Sequence, residues 1–344
     1  MKTVVVIGGG FVGAHVSRNL EKNFKVILID TKDYFEFTPA ILRTIVEPEH
    51  IKKVQILHNH YLKKAKVILE HVKEITDKEV IINNKRITFD YLVIGSGSSY
   101  GLPIKEEDIV IATRASHLRH SHEDLEKAKT VLIIGGGLVG VELAAEIICH
   151  YKNKNITIIH SKDRLIERNK ISASTYTEKF LKERGVKILF NEKFIKKVKK
   201  EYITDKGTKI KADIVFLCTG IKPNFQLLKN NFKESLNERN QIRVNSYLQA
   251  ENSKNIFAGG DIVNIQEEKT AQNAEHHAKI IVKNINAIEN KESLEEYKVQ
   301  ARPMIISLGK WCGIFIYKKL MFKGILPGIL KNIVEFKEMM KFKF

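Results

Sequence analysis

Gly8, Gly10 and Gly13 form a G-x-G-x-x-G sequence between an apolar, β-branched run, Thr3–Ile7, and an amphipathic stretch reaching Leu20. A second apolar run, Lys25–Ile29, ends on Asp30. Each glycine has a task in holding a pyrophosphate. The first permits the tight turn, the second lets backbone approach the phosphates, and the third lets helix pack on strand. The helix N-terminus adds unpaired N–H groups and the positive end of its dipole. Asp30, at the strand end, can hydrogen-bond ribose hydroxyls. Three glycines alone would mean little. The strand before, the helix after and the acid about 20 residues on make this a dinucleotide site.

The unit occurs twice. Thr130–Ile134 is another buried-strand run, Gly135, Gly137 and Gly140 repeat the glycine spacing, Val141–Ile148 continues as helix, and Ile156–His160 is the next strand. Two such units imply two dinucleotides, or two halves of a redox relay. At the second ribose position an acid would suit NADH. Here the strand ends at His160-Ser161, followed by Lys162-Asp163-Arg164. Lys162 or Arg164 either meets a 2′-phosphate or belongs to a solvated loop, so NADH and NADPH both stay open.

The chain has 344 residues, enough for two or three domains, and its 43% hydrophobic content is ordinary for a globular protein. The net charge of +18 suits anionic dinucleotides, an anionic membrane surface or nucleic acid, or reflects a lysine-rich proteome. No DNA- or RNA-reading motif occurs, and aromatics are not interleaved with the basic residues, so no nucleic-acid partner is expected. Cys149, Cys218 and Cys312 form no C-x-x-C or metal pair. They read as core thiols of a reducing compartment, with no metal site. The apolar run after Lys2 is the first strand rather than a signal peptide, and no run is long enough to span a membrane. A cytoplasmic setting is expected.

The remaining elements must position these groups. Thr31–Pro48 reads as an aromatic loop and then a short helix. Val67–Glu70 and Val80–Ile82 read as strands of a small meander, and Lys187–Leu189 and Tyr202–Thr204 as a second one. Asp90–Ile94 is a buried strand ending at Gly95-Ser96-Gly97. Arg114–Lys129 is a charged connector. Asp213–Thr219 is a buried strand ending in Gly220, and Ile221–Arg239 a polar linker. Asn255–Ala258 runs into Gly259-Gly260-Asp261, and Thr270–Ile288 is a helix.

This order of motifs resembles, over residues 1 to about 300, the flavin-dependent pyridine-nucleotide oxidoreductases with two dinucleotide-binding domains. The resemblance implies an α/β protein with two Rossmann-like domains, the first for FAD and the second for NADH or NADPH, plus a C-terminal amphipathic segment. The FAD domain would comprise 1–112 and 241–300, the coenzyme domain 113–240, and the C-terminal segment 301–344. By the same resemblance, Asp261 meets the flavin ribitol, and Arg43 and the Val72 backbone face FAD. Thr38, Pro39 and Gly95 join the FAD side. Ser161, Lys162 and Gly220 join the coenzyme side.

The disulfide-reductase branch carries a cysteine pair just after the first ribose acid. The stretch Asp33–Arg43 has none, so no dithiol relay sits there and electrons pass directly from flavin to an acceptor. Phe37-Thr38-Pro39 is instead similar to type II NADH dehydrogenases and the apoptosis-inducing-factor-2-like (ferroptosis-suppressor) quinone reductases. Residues 271–278, AQNAEHHA, resemble the Ala-Gln-x-Ala-x-Gln motif that type II NADH dehydrogenases place beside flavin and quinone. Gln272 is kept and His276 replaces the second Gln. Four apart on a helix, the two share a face. They can hydrogen-bond a quinone carbonyl, and His276 can supply a proton; alternatively His276 and His277 are plain surface histidines. Glu142 matches the family's Glu near nicotinamide and flavin, or is a first-turn charge favoured by the helix dipole. The implied activity is an FAD-dependent NAD(P)H:quinone oxidoreductase. Rivals are a sulfide:quinone or carrier-protein reductase, and a redox-sensing binding protein like apoptosis-inducing factor.

Residues 305–344 are apolar and basic together. Leu326, Ile329, Leu330, Ile333, Val334, Phe336 and Met340 recur at helical spacing, with Lys331, Glu335, Glu338 and Lys341 largely between them. Such a helix suits an anionic membrane surface, with Trp311 and Tyr317 at the interface and Phe342 and Phe344 exposed. It equally suits packing on the body or across a homodimer seam. Peripheral attachment to the inner face of a membrane, with quinone as acceptor, is the expectation.

Overall fold

Five short apolar runs make the first sheet, in the order Ile256–Ala258, Tyr91–Ile94, Thr3–Ile7, Lys25–Asp30, Lys66–Leu69. All four pairings are parallel. Such strands are covered on both faces, which is why they read as unbroken Val/Ile/Leu. The helices Phe11–Leu20 and Ala271–Asn290 cover one face, and the sheet Val72–Ile75, Glu79–Ile82, Lys85–Thr88 packs on the other side. The computed structural model describes residues 1–83, 85–100, 109–111 and 115–343. The boundary expected at 112/113 lies outside the described residues, as does Arg114, the first residue of the connector. The connector's described part forms two short helices, Ala115–His120 and His122–Lys127.

The second sheet repeats the plan with Ile109–Ile111, Ile214–Leu217, Thr130–Ile134, Asn155–His160 and Lys187–Phe190, again all parallel. Two expectations are corrected here. Val67–Glu70 and Lys187–Leu189 are not meander strands; each belongs to the edge strand of a parallel sheet, paired with the strand that ends at Asp30 or at His160. Four apolar residues in a row carry no sign of their partner's direction. The linker after Gly220 is also more ordered than its polarity suggests. Ile221–Pro223 pairs with Ser98–Tyr100, and Leu228 and Phe232 are buried against the first sheet's core.

The C-terminal part is a three-stranded antiparallel sheet, Met304–Ser307, Gly313–Tyr317, Leu320–Gly324, followed by the helix Ile325–Lys343. Pro327 sits in the first turn of that helix, where its missing N–H has no intrahelical bond to lose. The helix turns Glu335, Met339 and Phe342 inward and leaves Leu326, Ile329, Ile333 and Phe336 exposed. The expected exposure of Phe342 is therefore wrong. Its ring is 1% exposed and packs on Phe35, Tyr61 and His15 at centroid distances of 4.3, 4.9 and 4.9 Å. Position 342 falls three and seven residues after Met339 and Glu335, on their face of the helix. Phe344 lies outside the described residues. Cys218 is a buried core thiol as expected, whereas Cys149 is exposed at the end of its helix. Among the described residues no helix is long and apolar enough to cross a membrane.

Candidate cofactor and active site

The two glycine turns are copies of one another. Gly8 has φ +89°, and a Cβ there would stand 2.4 Å from the Gly95 carbonyl oxygen; a Cβ on Gly13 would stand 1.8 Å from the Gly8 oxygen. In the second unit Gly135 has φ +113° and would meet the Cys218 oxygen at 2.5 Å, and Gly140 would meet the Gly135 oxygen at 1.9 Å. These four positions are closed to any side chain. The middle glycines behave oppositely: a Cβ on Gly10 or Gly137 would meet nothing within 4 Å. Both are N-cap residues without a side-chain cap. The first helical N–H groups thus face open space, which is the geometry a diphosphate fills. Cys218 stands in the second unit where Gly95 stands in the first, and Gly220 follows it by two residues.

Asp30 stands beside the first turn and is 8% exposed. It accepts from the Gly9 and Thr31 amides at 2.9 and 2.7 Å, and faces His58 Nε2 at 3.3 Å. Burial alone would raise its pKa, but His58, the Lys32 charge and the Gly9 amide together hold it below the usual range. His58 is in turn 2.7 Å from the Tyr61 hydroxyl. Sequence reading missed His58, since nothing local marks it. Val72 opens its strand two residues after Glu70, whose amide donates to the Asp30 carbonyl at 3.0 Å.

In the second unit the same register position is His160. Ile159 pairs with Ile134 as Ile29 pairs with Ile7. Its Nδ1 accepts from the Gly136 amide at 3.1 Å, as Asp30 accepts from Gly9. Ser161 and Lys162 follow, both exposed. Arg164 points elsewhere: its guanidinium donates to the Glu167 and Asn169 carbonyls. It is not placed to meet a 2′-phosphate.

Asp261 is presented by a turn at Gly259-Gly260, with Gly260 at φ +81°. Its Oδ2 accepts from the Ser98 hydroxyl at 2.6 Å. The Gly260 amide donates to His277 Nδ1 at 3.0 Å, and His277 Nε2 lies 3.0 Å from Glu267 Oε1, off the ideal hydrogen-bond line. The Tyr297 hydroxyl donates to Glu267 Oε2 at 2.5 Å. His277 is 1% exposed, so it is a prop behind the Gly259-Gly260-Asp261 turn and not a surface histidine. Gln272, on the same helix, is exposed. His276 is half-buried beside Tyr297, with ring centroids 5.0 Å apart. Burial, then the nearby Arg302 charge, lowers its pKa, so the ring is neutral near neutral pH. Its Nδ1 has no partner among the described residues.

Glu142 lies past the first helical turn, so the dipole reading does not account for it. It accepts from the Lys331 ammonium and the Ser307 amide, each at 2.8 Å. One turn on, Glu146 pairs with Arg43 at 3.2 Å, and Arg43 also donates to Asn332 Oδ1 at 3.2 Å. Thr38 and Pro39 begin the 3-10 helix that carries Arg43. Pro39, Arg43, Glu142, Glu146, Lys331 and Glu335 all line one crevice. Three separate parts of the chain meet there. Arg43 is 8% exposed and committed to Glu146, so it works as a strut between the two halves. Lys331, on the inward side of the C-terminal helix, reaches Glu142 across 189 positions, and nothing local in the sequence marks the pair.

Residues 2–278 match the pyridine nucleotide-disulphide oxidoreductase family. Apoptosis-inducing factor homolog A of Dictyostelium discoideum is 35% identical over 362 residues, covering 96% of this chain and 89% of that protein. Human ferroptosis suppressor protein 1 is 30% identical over 328 residues, covering 90% and 87%. The fold is that of the sulfide:quinone oxidoreductase from Aquifex aeolicus, with TM-score 0.88 at 21% identity over 100% of this chain and 92% of that one. With twin glycine turns, strand-end polar groups and a Gly-Asp turn in place, the chain belongs to the pyridine nucleotide-disulphide oxidoreductase family.

Proposed function

We propose that this enzyme is an FAD-dependent NAD(P)H oxidoreductase whose acceptor is a quinone reached from a membrane surface. The observation that carries the reading is the pair of glycine turns, each with its middle glycine open, in a chain whose stretch Asp33–Arg43 holds no cysteine. FAD, when bound, takes hydride from the nicotinamide and supplies two electrons to the acceptor. The chain's own groups do the rest. Gly10 and the helix behind it hold the FAD diphosphate, Asp30 its ribose and Asp261 its ribitol. Gly137 holds the coenzyme diphosphate. Glu142, fixed by Lys331, orients the nicotinamide. Gln272 and neutral His276 offer donors to a quinone carbonyl, and the unpartnered Nδ1 of His276 gives a proton a place to move.

A quinone acceptor is supported by the family, by the absence of a cysteine pair in the stretch Asp33–Arg43, and by the names of relatives. A sulfide donor finds less support: Cys218 is buried, and none of Cys149, Cys218 and Cys312 lines the crevice. In this reading 1–112 and 241–300 serve FAD, 113–240 the coenzyme, and 301–344 the membrane.

The membrane part rests on an inverted helix. Lys331, Glu335, Glu338 and Lys341 face the body, while Leu326, Ile329, Ile333 and Phe336 face outward. Lys318, Lys319, Lys323 and Lys337 are exposed in the same C-terminal part, and together with that apolar stripe they suit an anionic bilayer on the inner face. The test is initial rates with NADH and NADPH, each with a short-chain ubiquinone or menaquinone analogue. Fast quinone-dependent turnover is expected. A flavin that the coenzyme reduces but no quinone reoxidises would remove the quinone from the proposal.

A further inference from the structure

The strand-end acid that reads a ribose is missing from the second unit, and the loop after it is built with unusual care. We propose that Glu167, oriented by His160, reads the 2′-position of the nicotinamide coenzyme in place of that acid, and makes the site favour NADH over NADPH. The inference rests on the second glycine turn being the coenzyme site.

The loop folds back onto the turn. Ile166 donates its amide to the Gly136 carbonyl at 2.9 Å. It does so at φ +44°, a conformation that a β-branched residue adopts only when its surroundings force it. Leu165 is fully buried, and its Cδ2 stands 2.5 Å from where a Gly136 Cβ would be. The Ser174 hydroxyl holds the Leu165 carbonyl at 2.6 Å. The Arg164 guanidinium ties the Glu167 and Asn169 carbonyls. All of this fixes the backbone of one residue, Glu167, next to His160.

The side chains then form a donor and an acceptor. His160 Nδ1 is committed to the Gly136 amide, so the neutral ring carries its proton on Nε2. That Nε2 is buried and lies 3.4 Å from Glu167 Oε2, without the alignment of a hydrogen bond. The carboxylate is the open end of the pair: the side chains are 31% and 8% exposed. A ribose hydroxyl that donates to the Glu167 carboxylate meets the open end of the pair, while His160 orients that carboxylate from its buried side. A 2′-phosphate has no proton to donate and sets its charge against the carboxylate. Lys162 and Arg168, both exposed nearby, pull the other way.

The test needs no quinone. Purified flavoprotein is mixed rapidly with NADH or NADPH, and the apparent dissociation constant and limiting rate of flavin reduction are read for each. Wild type is expected to bind NADH more tightly. Glu167→Gln should move the NADPH-to-NADH affinity ratio up by roughly tenfold, the weight of a hydrogen bond to a charged group. His160→Asp should restore an acid at the strand end and lower NADPH affinity further. The proposal is overturned if Glu167→Gln weakens both coenzymes by equal factors, or if wild type prefers NADPH and Lys162→Ala abolishes the preference. If neither coenzyme reduces the flavin, the coenzyme-site reading fails instead.

Discussion

Lys331 and Glu142 meet at 2.8 Å across the seam between the C-terminal helix and the coenzyme-side helix. Both side chains are mostly buried, at 15% and 14% exposure. The pair therefore ties the position of Glu142, the carboxylate proposed to orient the nicotinamide, to the docking of the last helix. Lys331→Ala should leave Glu142 with only the Ser307 amide. A lost charge-assisted bond is worth about 1.5–3 kcal/mol, so flavin reduction should slow by about tenfold or more. Rapid-mixing measurement of flavin reduction checks this. A normal rate with a lowered Tm would make the pair a strut alone.

The glycines separate folding from binding. Gly13→Ala and Gly140→Ala drive a Cβ into a backbone oxygen at 1.8 and 1.9 Å, and overpacking of that kind costs at least about 1–3 kcal/mol. Poor folding is the expected outcome for both. Gly10→Ala and Gly137→Ala meet no protein atom and should keep a near-normal Tm. Gly10→Ala should be purified with little flavin. Gly137→Ala should keep its flavin and show a raised KM for the coenzyme. Flavin content and KM decide it, and a Gly10→Ala protein with full flavin would contradict the site.

What was legible in the chain was local. The glycine turns, Asp30 and the Gly-Asp turn are set by residues within one strand–turn–helix unit, so spacing reveals them. The supports come from far away. His58 reaches Asp30 across 28 positions, and Arg43 reaches Glu146 across 103. His277 is only 17 positions from Gly260, yet reading it as surface overlooked that it faces the sheet. The edge strands at residues 66–69 and 187–190 were misassigned because a short apolar run fits parallel and antiparallel partners alike. Phe342 was misread because an aromatic near a chain end carries no mark of the box that receives it.

That box titrates. Burial pushes the His15 ring down to about 4, against a weaker opposing pull from Glu275. The facing groups are Glu275, Lys341, Lys279 and Arg18. Burial would raise the Glu275 carboxyl, but the Lys279 and Lys341 ammonium groups outweigh it and hold it at about 2. An unfolded imidazole takes its proton near 6.5, so the His15 contribution is full above that pH and erodes as pH falls to about 4. An unfolded glutamate titrates near 4.5, so the Glu275 contribution is full above 4.5 and is lost as pH falls toward 2. Lys341 clamps Glu275 and Glu338 from the last helix, so that helix should loosen first. The protection factors of Ile325–Lys343, taken relative to intrinsic amide exchange at each pH, should fall between about 6.5 and 4. His15→Phe should flatten that upper limb, and Glu275→Gln the lower one.

The outward stripe of the last helix can be cut without touching the core. Ile333 and Phe336 are 55% and 66% exposed, so the double variant Ile333→Asp, Phe336→Asp should leave Tm and short-chain quinone turnover near wild type. Each apolar side chain buried in a bilayer interface is worth about 1.5–3 kcal/mol. Loss of two should abolish cosedimentation with anionic phospholipid vesicles and depress turnover of a long-chain quinone held in those vesicles. The exposed lysines of the C-terminal part add a salt-sensitive contribution, so wild-type binding should weaken as ionic strength rises. A second copy of the chain on the same stripe predicts something different: a lipid-free dimer that the double variant splits. Sedimentation of both proteins without lipid separates the two, and a wild-type dimer turned monomer by these substitutions would assign the stripe to self-association.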